Sequence, residues 1–158
     1  MAIFHANTYI VEKKVSMGCS QGSSCGPLLW NVLYNTLLNL KFTSHTKTIA
    51  FADDLAILTH GKTLSEAEVY AHSDLSKIEN WAREYKMQFN ESKNKAMLIT
   101  RKRSCHGISI NLNNRRLQQV TEMKYLGIYF DNRLTFYKHI EHITLKIYDV
   151  GIHAKQNC

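Results

Sequence analysis

The chain has 158 residues, of which 44% are apolar and only one is proline. A chain of this length is typical of one domain with a core of its own, and the scarcity of proline argues against long disordered linkers. Lysine and arginine outnumber the acidic residues by seven and the pI is near 9.3, which favours a polyanionic partner such as nucleic acid over an acidic protein.

The N-terminal residues lack the pattern of a secretory leader, and no apolar run approaches the length of a membrane span. We therefore expect an intracellular protein, in the nucleus or the cytoplasm, without a membrane partner. The cysteines are too scattered for a disulfide scaffold or a zinc site and are expected to be reduced. They are Cys19, Cys25, Cys105 and Cys158.

The first informative stretch is a loop of small residues from Met17 to Pro27. Pro27 lies where a helix is expected to begin, and the largely apolar run 28–38 continues that helix. Within the loop, Gly22 lets the backbone approach a ligand closely, and the Gln21 amide can bond to a base or a sugar. A glycine-rich connector into a buried helix explains the same residues.

Two adjacent carboxylates, Asp53 and Asp54, lie between the strand-like runs 48–52 and 55–58. The pattern predicts a β-hairpin with both acids at its tip. Two carboxylates at one turn can share divalent cations, as in enzymes that transfer nucleotidyl or phosphoryl groups with paired Mg²⁺ ions. A plain polar turn is the alternative that these residues leave open.

The rest of the chain mixes helices with hairpins. Thr63 and Glu66 have the spacing of a capping box, and the helix they start has apolar positions at helical spacing as far as Tyr85. We expect strands over 87–90, 96–100 and 122–130, a hairpin over 108–120 turning at Asn113–Asn114, and a closing helix over 139–153. The predicted class is α+β, one antiparallel sheet with helices packed on one face.

Five landmarks follow one another along the chain. They are Gly18-x-x-Gln21-Gly22, Gly26-Pro27-Leu28-Leu29, Phe51-Ala52-Asp53-Asp54, Asn90-x-x-Lys93 and Tyr125-Leu126-Gly127. In this order they resemble the palm of a reverse transcriptase, and more narrowly that of the non-LTR (LINE-type) retrotransposon family. The resemblance implies a partial palm over residues 1–130 and the beginning of a thumb over 131–158, where the matching residues are Asp131, Leu134, His139 and Ile140.

The resemblance also implies catalytic roles. Asp53 matches the principal ligand of Mg²⁺, or of Mn²⁺, in the catalytic hairpin. Asp54 matches the second aspartate of the pair, which supports the negative charge next to that ligand. Phe51 occupies the aromatic position before them. Lys93 matches a basic residue near the incoming triphosphate that can donate a proton to the leaving pyrophosphate, although a solvated turn lysine remains equally open.

Further roles concern the nucleic acid and the nucleotide. The loop that lines the nucleotide pocket and touches the template is matched by Gln21, Gly22 and Ser23. The primer grip is matched by Tyr125, Leu126 and Gly127. The implied activity is RNA-directed DNA synthesis, in which deoxynucleoside triphosphates are added to the 3′ hydroxyl of a DNA primer on an RNA template in a two-Mg²⁺ reaction.

Two departures from the family pattern bear on whether this chain has that activity by itself. Ser20 stands where the family usually has proline, and no aspartate precedes Asp53, so that Glu12 is the only acid before it. The family's metal site uses another aspartate from an earlier palm strand, and its fingers hold the triphosphate. We therefore expect a fragment of a parent polypeptide, inactive by itself because the first aspartate and the fingers are missing.

The alternative is a catalytically inactive remnant that at most binds nucleic acid without sequence specificity. It would use the basic surface that includes Arg101-Lys102-Arg103 and Arg115-Arg116.

Overall fold

The structure, a computed structural model, describes residues 2–6, 9–13, 22–90, 92–102 and 107–156. Gly18 and Gln21 of the predicted loop therefore lie outside the described residues. The chain divides into two units. The first unit comprises Met1–Lys41 and Thr48–Ala56, and the second unit comprises Phe42–Lys47 and Ile57–Cys158.

The first unit contains an antiparallel strand pair and a helix. Strands β1 (Ala2–Ala6) and β2 (Tyr9–Lys13) form the pair. Helix α1 (Gly26–Leu38) has Pro27 in its first turn, as the sequence predicts, because a proline there lacks only an N–H that the helix cannot use. Leu37 of this helix is 1% exposed.

The predicted acidic hairpin is confirmed. Strands β3 (Thr46–Phe51) and β4 (Asp54–Thr59) form a two-stranded sheet that turns at Ala52–Asp53. We call these strands and their turn the acidic hairpin. Its residues Thr48–Ala56 belong to the first unit, and the outer ends of its strands belong to the second unit.

Helix α2 (Leu64–Glu84) begins with the predicted capping box. Thr63 Oγ1 accepts a hydrogen bond from Glu66 N at 3.2 Å, and Glu66 Oε2 accepts one from Thr63 N at 3.3 Å. Ile78 and Trp81 are 1% and 4% exposed and form part of the core of the second unit. The apolar face of the helix was predicted to continue as far as Tyr85. This is wrong for Tyr85, because the helix ends at Glu84 and the Tyr85 side chain is 40% exposed.

Short strands follow α2 in the second unit. β5 (Lys95–Ala96) pairs in parallel with β8 (Gln118–Gln119), whereas β6 (Asn111–Leu112) and β7 (Arg115–Arg116) form an antiparallel hairpin. Its turn lies at Asn113–Asn114, as predicted, and both residues have positive φ, which asparagine tolerates better than most residues. The strands predicted over 87–90 and 96–100 reduce to the two residues of β5.

The strand predicted over 122–130 is instead a hairpin of β9 (Glu122–Tyr125) and β10 (Ile128–Asp131). Leu126 and Gly127, with φ of 47° and 85°, reverse the chain between them. Helix α3 (Tyr137–Gln156) follows. Its His142 ring packs edge-on against the Tyr129 ring, with 4.9 Å between the ring centroids.

The α+β class is confirmed, although the described strands pair in twos and one of these pairs is parallel. None of the helices within the described ranges is long and apolar enough to cross a membrane.

Candidate active site

The two carboxylates of the acidic hairpin lie at its exposed tip. Asp53 is in the turn, Asp54 is the first residue of β4, and both are exposed. Within the described part of the chain, neither side chain makes a hydrogen bond or an ion pair. Their oxygen atoms are therefore open to a ligand from solvent.

The turn has a backbone conformation that is costly for its sequence. Ala52 has φ of 52°, a left-handed conformation that costs a non-glycine residue roughly 1–2 kcal/mol. The indole Nε1 of Trp30, on α1, donates a hydrogen bond to Ala52 O at 3.1 Å. The Trp30 ring also stacks on Tyr34 of the same helix, with 5.1 Å between the ring centroids. Helix α1 thus supports the turn that presents the two carboxylates.

Sequence reasoning missed this role of Trp30. An indole N–H needs an acceptor when the ring is packed, so a tryptophan on an otherwise apolar helix was a usable signal. The sequence did not identify the acceptor, because Ala52 lies 22 residues away.

A cleft of about 250 Å³ lies beside the turn in the first unit. Its lining combines two side-chain amides and a phenol with apolar groups, from Asn31, Tyr34, Asn35, Leu38, Ala50 and Ala52. Phe51, at the end of β3, is 64% exposed. The cleft therefore has hydrogen-bonding groups in its lining beside Ala52 of the turn, and Phe51 offers an aromatic surface.

The base of the hairpin is anchored in the second unit by a buried acid that sequence reasoning also missed. Asp74 of α2 is 0% exposed and accepts hydrogen bonds from Thr43 N at 3.0 and 3.1 Å, from Thr43 Oγ1 at 2.8 Å and from Lys77 Nζ at 2.7 Å. Burial would raise the pKa of this carboxyl, but the bonds from Lys77 and Thr43 outweigh burial and lower the pKa.

The two strands of the acidic hairpin are also joined to each other at the base. The hydroxyl groups of Thr46 and Thr59 share a hydrogen bond of 3.0 Å, and His60 N donates to His45 O at 3.0 Å. Asp74, which holds Thr43, therefore fixes the chain three residues before β3 begins.

The loop that was predicted to line the nucleotide pocket has local structural roles in its described part. Gly22 has φ of +84°, which side chains rarely adopt, so glycine is required at this position. Ser23 Oγ accepts a hydrogen bond from Cys25 N at 3.3 Å, and Ser23 O accepts one from Gly26 N at 3.2 Å. These bonds start α1. Gln21 lies outside the described residues.

Lys93 belongs to the second unit and ends a tight turn. Its backbone N donates to Asn90 O at 3.1 Å, and Asn90 Oδ1 accepts from Ser92 N at 3.1 Å and from Ser92 Oγ at 2.7 Å. The Lys93 side chain is exposed. This geometry fits both a solvated lysine and a lysine that reaches a phosphate.

The predicted primer-grip residues lie at the tip of the β9–β10 hairpin in the second unit. Tyr125 ends β9 and is half-buried, Leu126 is 45% exposed, and Gly127 completes the turn. The structure thus places these three residues together at an exposed turn.

Asp131 organises the loop that leads into α3. Its carboxylate accepts hydrogen bonds from Arg133 N, Thr135 N, Thr135 Oγ1 and Phe136 N, all between 2.9 and 3.1 Å. Desolvation would raise the pKa of Asp131, but these bonds lower it to about 2. The role of Asp131 visible in the structure is therefore to hold the start of the helix.

A divalent cation at the acidic hairpin would have two carboxylate ligands from the described chain. No group of three or more histidine, cysteine, aspartate or glutamate side chains close enough to hold a metal ion occurs among the described residues. Mg²⁺ commonly binds through one or two carboxylates and completes its octahedron with water and substrate phosphates. Asp53 and Asp54 fit that mode of binding.

Comparison with known proteins gives consistent matches. Residues 3–130 match the family described as reverse transcriptase (RNA-dependent DNA polymerase). The "Retrovirus-related Pol polyprotein from type-1 retrotransposable element R1 2" of Nasonia vitripennis is 29% identical over 82% of this chain and 33% of its own length. The "RNA-directed DNA polymerase from mobile element jockey" of Drosophila melanogaster is 31% identical over 83% of this chain and 15% of its own length. No solved structure matches the chain.

The chain therefore spans a third or less of the length of each of these two relatives. The family match covers well over half of the chain and includes the acidic hairpin, Lys93 and the predicted primer grip. The chain belongs to the reverse transcriptase family, and proteins of non-LTR retrotransposons are among its relatives.

Proposed function

We propose that this chain is the part of a non-LTR retrotransposon RNA-directed DNA polymerase that contributes the catalytic hairpin. The observation that carries the proposal is the pair of exposed carboxylates, Asp53 and Asp54, at the tip of a hairpin in a member of the reverse transcriptase family. A plain polar turn explains the acids but not their place in the family's order of motifs.

Asp53 and Asp54 would hold divalent cations, Mg²⁺ or Mn²⁺, as oxygen ligands. When bound, such ions lower the pKa of the attacking hydroxyl and stabilise the leaving oxygen of nucleotidyl transfer. The chain's own contribution is to position these ligands: Trp30 holds the turn through Ala52, and the amide groups of the neighbouring cleft can orient a nucleotide. Lys93 would donate a proton to the departing pyrophosphate.

The proposed partners are an RNA template, a DNA primer and deoxynucleoside triphosphates. Gln21, Gly22 and Ser23 would line the nucleotide pocket, and the β9–β10 turn would hold the primer end. Residues 1–130 would form part of the palm and residues 131–158 the beginning of the thumb. A polymerase that uses cellular RNA and DNA would work in the nucleus or the cytoplasm.

A chimeric polymerase tests the proposal. Residues 3–130 of this chain replace the matching segment of the jockey polymerase, and primer extension on an RNA template is measured. We expect RNA-templated DNA synthesis that the variant Asp53→Asn abolishes, because loss of a metal ligand usually costs orders of magnitude in rate. Synthesis that persists in the variant would refute the role of Asp53.

If the chimera does not fold, cation binding by the chain itself tests the proposal instead. Mn²⁺ binding to the intact chain with primer and template is followed by electron paramagnetic resonance. Binding that weakens in Asp53→Asn but not in Asp131→Asn supports the proposal, since Asp131 is a carboxylate with a structural role. Equal binding in both variants contradicts it.

A further inference from the structure

Helix α3 contacts the β9–β10 hairpin through its N-terminal part. Lys138, in the first turn of the helix, forms an ion pair with Glu122 of β9, and the His142 ring packs against the Tyr129 ring of β10. The side chains that follow, at positions 143–148, are all exposed. His142 therefore lies at the edge of the described contact between the helix and the hairpin.

The ring of Tyr129 is shared by two nitrogen-bearing side chains. Lys124 is the cross-strand partner of Tyr129, and its Nζ atom lies over the ring, 5.4 Å from the centroid. The planes of the His142 and Tyr129 rings meet at 64°. Lysine is cationic and tyrosine is neutral near pH 7, whereas histidine changes its charge in mildly acidic solution. The tyrosine ring thus brings a permanent cation close to a group that can become one.

The charged groups of the described chain that act on His142 are cationic or can become so. They are Lys146 and His139, which are near neighbours of His142 on α3, and Lys124 on β9. Desolvation of the imidazole, followed by these three groups, lowers the pKa of His142 below its ordinary value of 6.5. The packed arrangement therefore favours the neutral imidazole.

The acids close to this contact act on a different side chain. Glu122 binds Lys138 and, together with Glu141, raises the pKa of that lysine. Neither carboxylate offsets a positive charge on His142. His139 adds a second obstacle to protonation, because its Nδ1 atom is buried and has no hydrogen-bond partner among the described residues. A cationic imidazole has an N–H on both nitrogens, so a proton on His139 would place a donor there without an acceptor.

We propose that Lys124, Tyr129 and His142 form a pH-sensitive latch, in which protonation of His142 in mildly acidic solution loosens the packing of α3 on the β9–β10 hairpin. The neutral imidazole packs on Tyr129. The protonated imidazole is repelled by Lys124 and Lys146 and regains hydration when it moves away from the hairpin.

The sign of the pH dependence follows from the lowered pKa of His142. Stabilisation of the packed helix by the latch is fully present above the ordinary pKa of 6.5. It is lost as the pH falls from that value to the lower pKa of the packed form, and below this pKa no further loss occurs. The latch goes beyond the proposed polymerase function and does not depend on it.

An NMR titration of the histidine rings in the full chain tests the latch directly. We expect His142 to titrate below its ordinary pKa in the parent, and at a higher pH in Lys124→Gln, which removes the ammonium group beside Tyr129. The control Lys62→Gln removes an exposed lysine from the loop before α2 and should leave the titration of His142 unchanged. A pKa at or above 6.5 in the parent would show that the Tyr129 ring attracts the imidazolium, and would overturn the proposal. Equal effects of the two substitutions would also overturn it.

Hydrogen exchange of the backbone amides in β10 and the first turns of α3 measures the opening itself. Between about pH 7 and about pH 5, the protection factors of the parent should fall by the factor that the His142 titration implies, tenfold for each unit by which its pKa is lowered. His142→Phe keeps a ring in the contact but cannot be protonated, so its protection factors should stay constant over this range.

The same pH dependence in the parent and in His142→Phe would refute the latch. If His142→Phe does not fold, the titrations of the parent and of Lys124→Gln decide the question by themselves. Neither measurement uses polymerase activity, so the latch and the proposed function can fail separately.

Discussion

Replacing Asp74 with alanine should destabilise the second unit by removing the anchor of the acidic hairpin. Hydrogen bonds to a charged group contribute about 1.5–3 kcal/mol, and a buried donor left without an acceptor costs about 1–3 kcal/mol. Thr43 N and Oγ1 both lose their acceptor, whereas Lys77 is 37% exposed and its ion pair adds little. These effects overlap, so we expect a loss of about 3 kcal/mol in unfolding free energy. That corresponds to a fall of roughly 6–12 °C in melting temperature for a chain of this length.

The effect of Asp74→Asn should depend on pH with a definite sign. The pKa of Asp74 is lowered on folding from its ordinary value of 3.8, so the folded state favours the carboxylate. The charge of Asp74 therefore stabilises the fold fully above that ordinary pKa, and this stabilisation is lost as the pH falls through the lower, folded-state pKa. The unfolding free energies of the parent and of Asp74→Asn, measured by urea titration, should differ most near neutral pH and converge in acid.

The matched control for Asp74→Ala is Asp53→Asn, which removes an exposed carboxylate from the hairpin that Asp74 anchors. A double-mutant cycle with Thr43→Val separates the anchor from general effects of substitution, because the two side chains are in contact. If Asp74→Ala melts within about 2 °C of the parent, or if the effects of Asp74→Ala and Thr43→Val simply add, the anchoring argument is wrong.

Four further outcomes are expected. The isolated chain should extend no primer on an RNA template with Mg²⁺ or Mn²⁺, and extension above background that disappears in Asp53→Asn would contradict this. In chelator, Asp53→Asn should melt slightly higher than the parent, because it relieves repulsion with Asp54 at an exposed turn, whereas a clearly lower melting temperature would favour a structural turn. Trp30→Phe should lower the unfolding free energy by about 1 kcal/mol in urea titrations, since it removes the bond to Ala52, and an unchanged value would exclude that support. Asp131 should stabilise the chain above its ordinary pKa of 3.8 and lose that effect as the pH falls through about 2, so pH-dependent melts of Asp131→Asn and the parent should converge there.

Local signals predicted much of the fold. The capping box at Thr63 and Glu66, the proline in the first turn of α1 and the asparagine pair at the β6–β7 turn each act within a few residues, so their sequence spacing determines the structure. The acidic hairpin was predictable for the same reason, since two strand-like runs with a short polar link have few alternatives.

The contacts between distant residues were not predictable in this way. The bond from Thr43 to Asp74 spans 31 residues, and the parallel pairing of β5 with β8 joins segments more than 20 residues apart. The β9–β10 turn had a local signal, the glycine at 127. A leucine at φ of 47° before it is unusual, however, and the run 122–130 therefore predicted a continuous strand.

The surroundings of the aspartates separate structural acids from candidate functional ones. Asp74 and Asp131 have their oxygen atoms occupied by donors from their own chain, and both pKa values are lowered as a result. Asp53 and Asp54 lie side by side, exposed, and no donor within the described residues approaches them. Because adjacent like charges destabilise a fold unless something neutralises them, the acidic pair gains most from a ligand outside the chain. The sequence has five aspartates of one chemical type, and among these four only the surroundings distinguish Asp53 and Asp54, whose carboxylates have no donor from the described part of the chain.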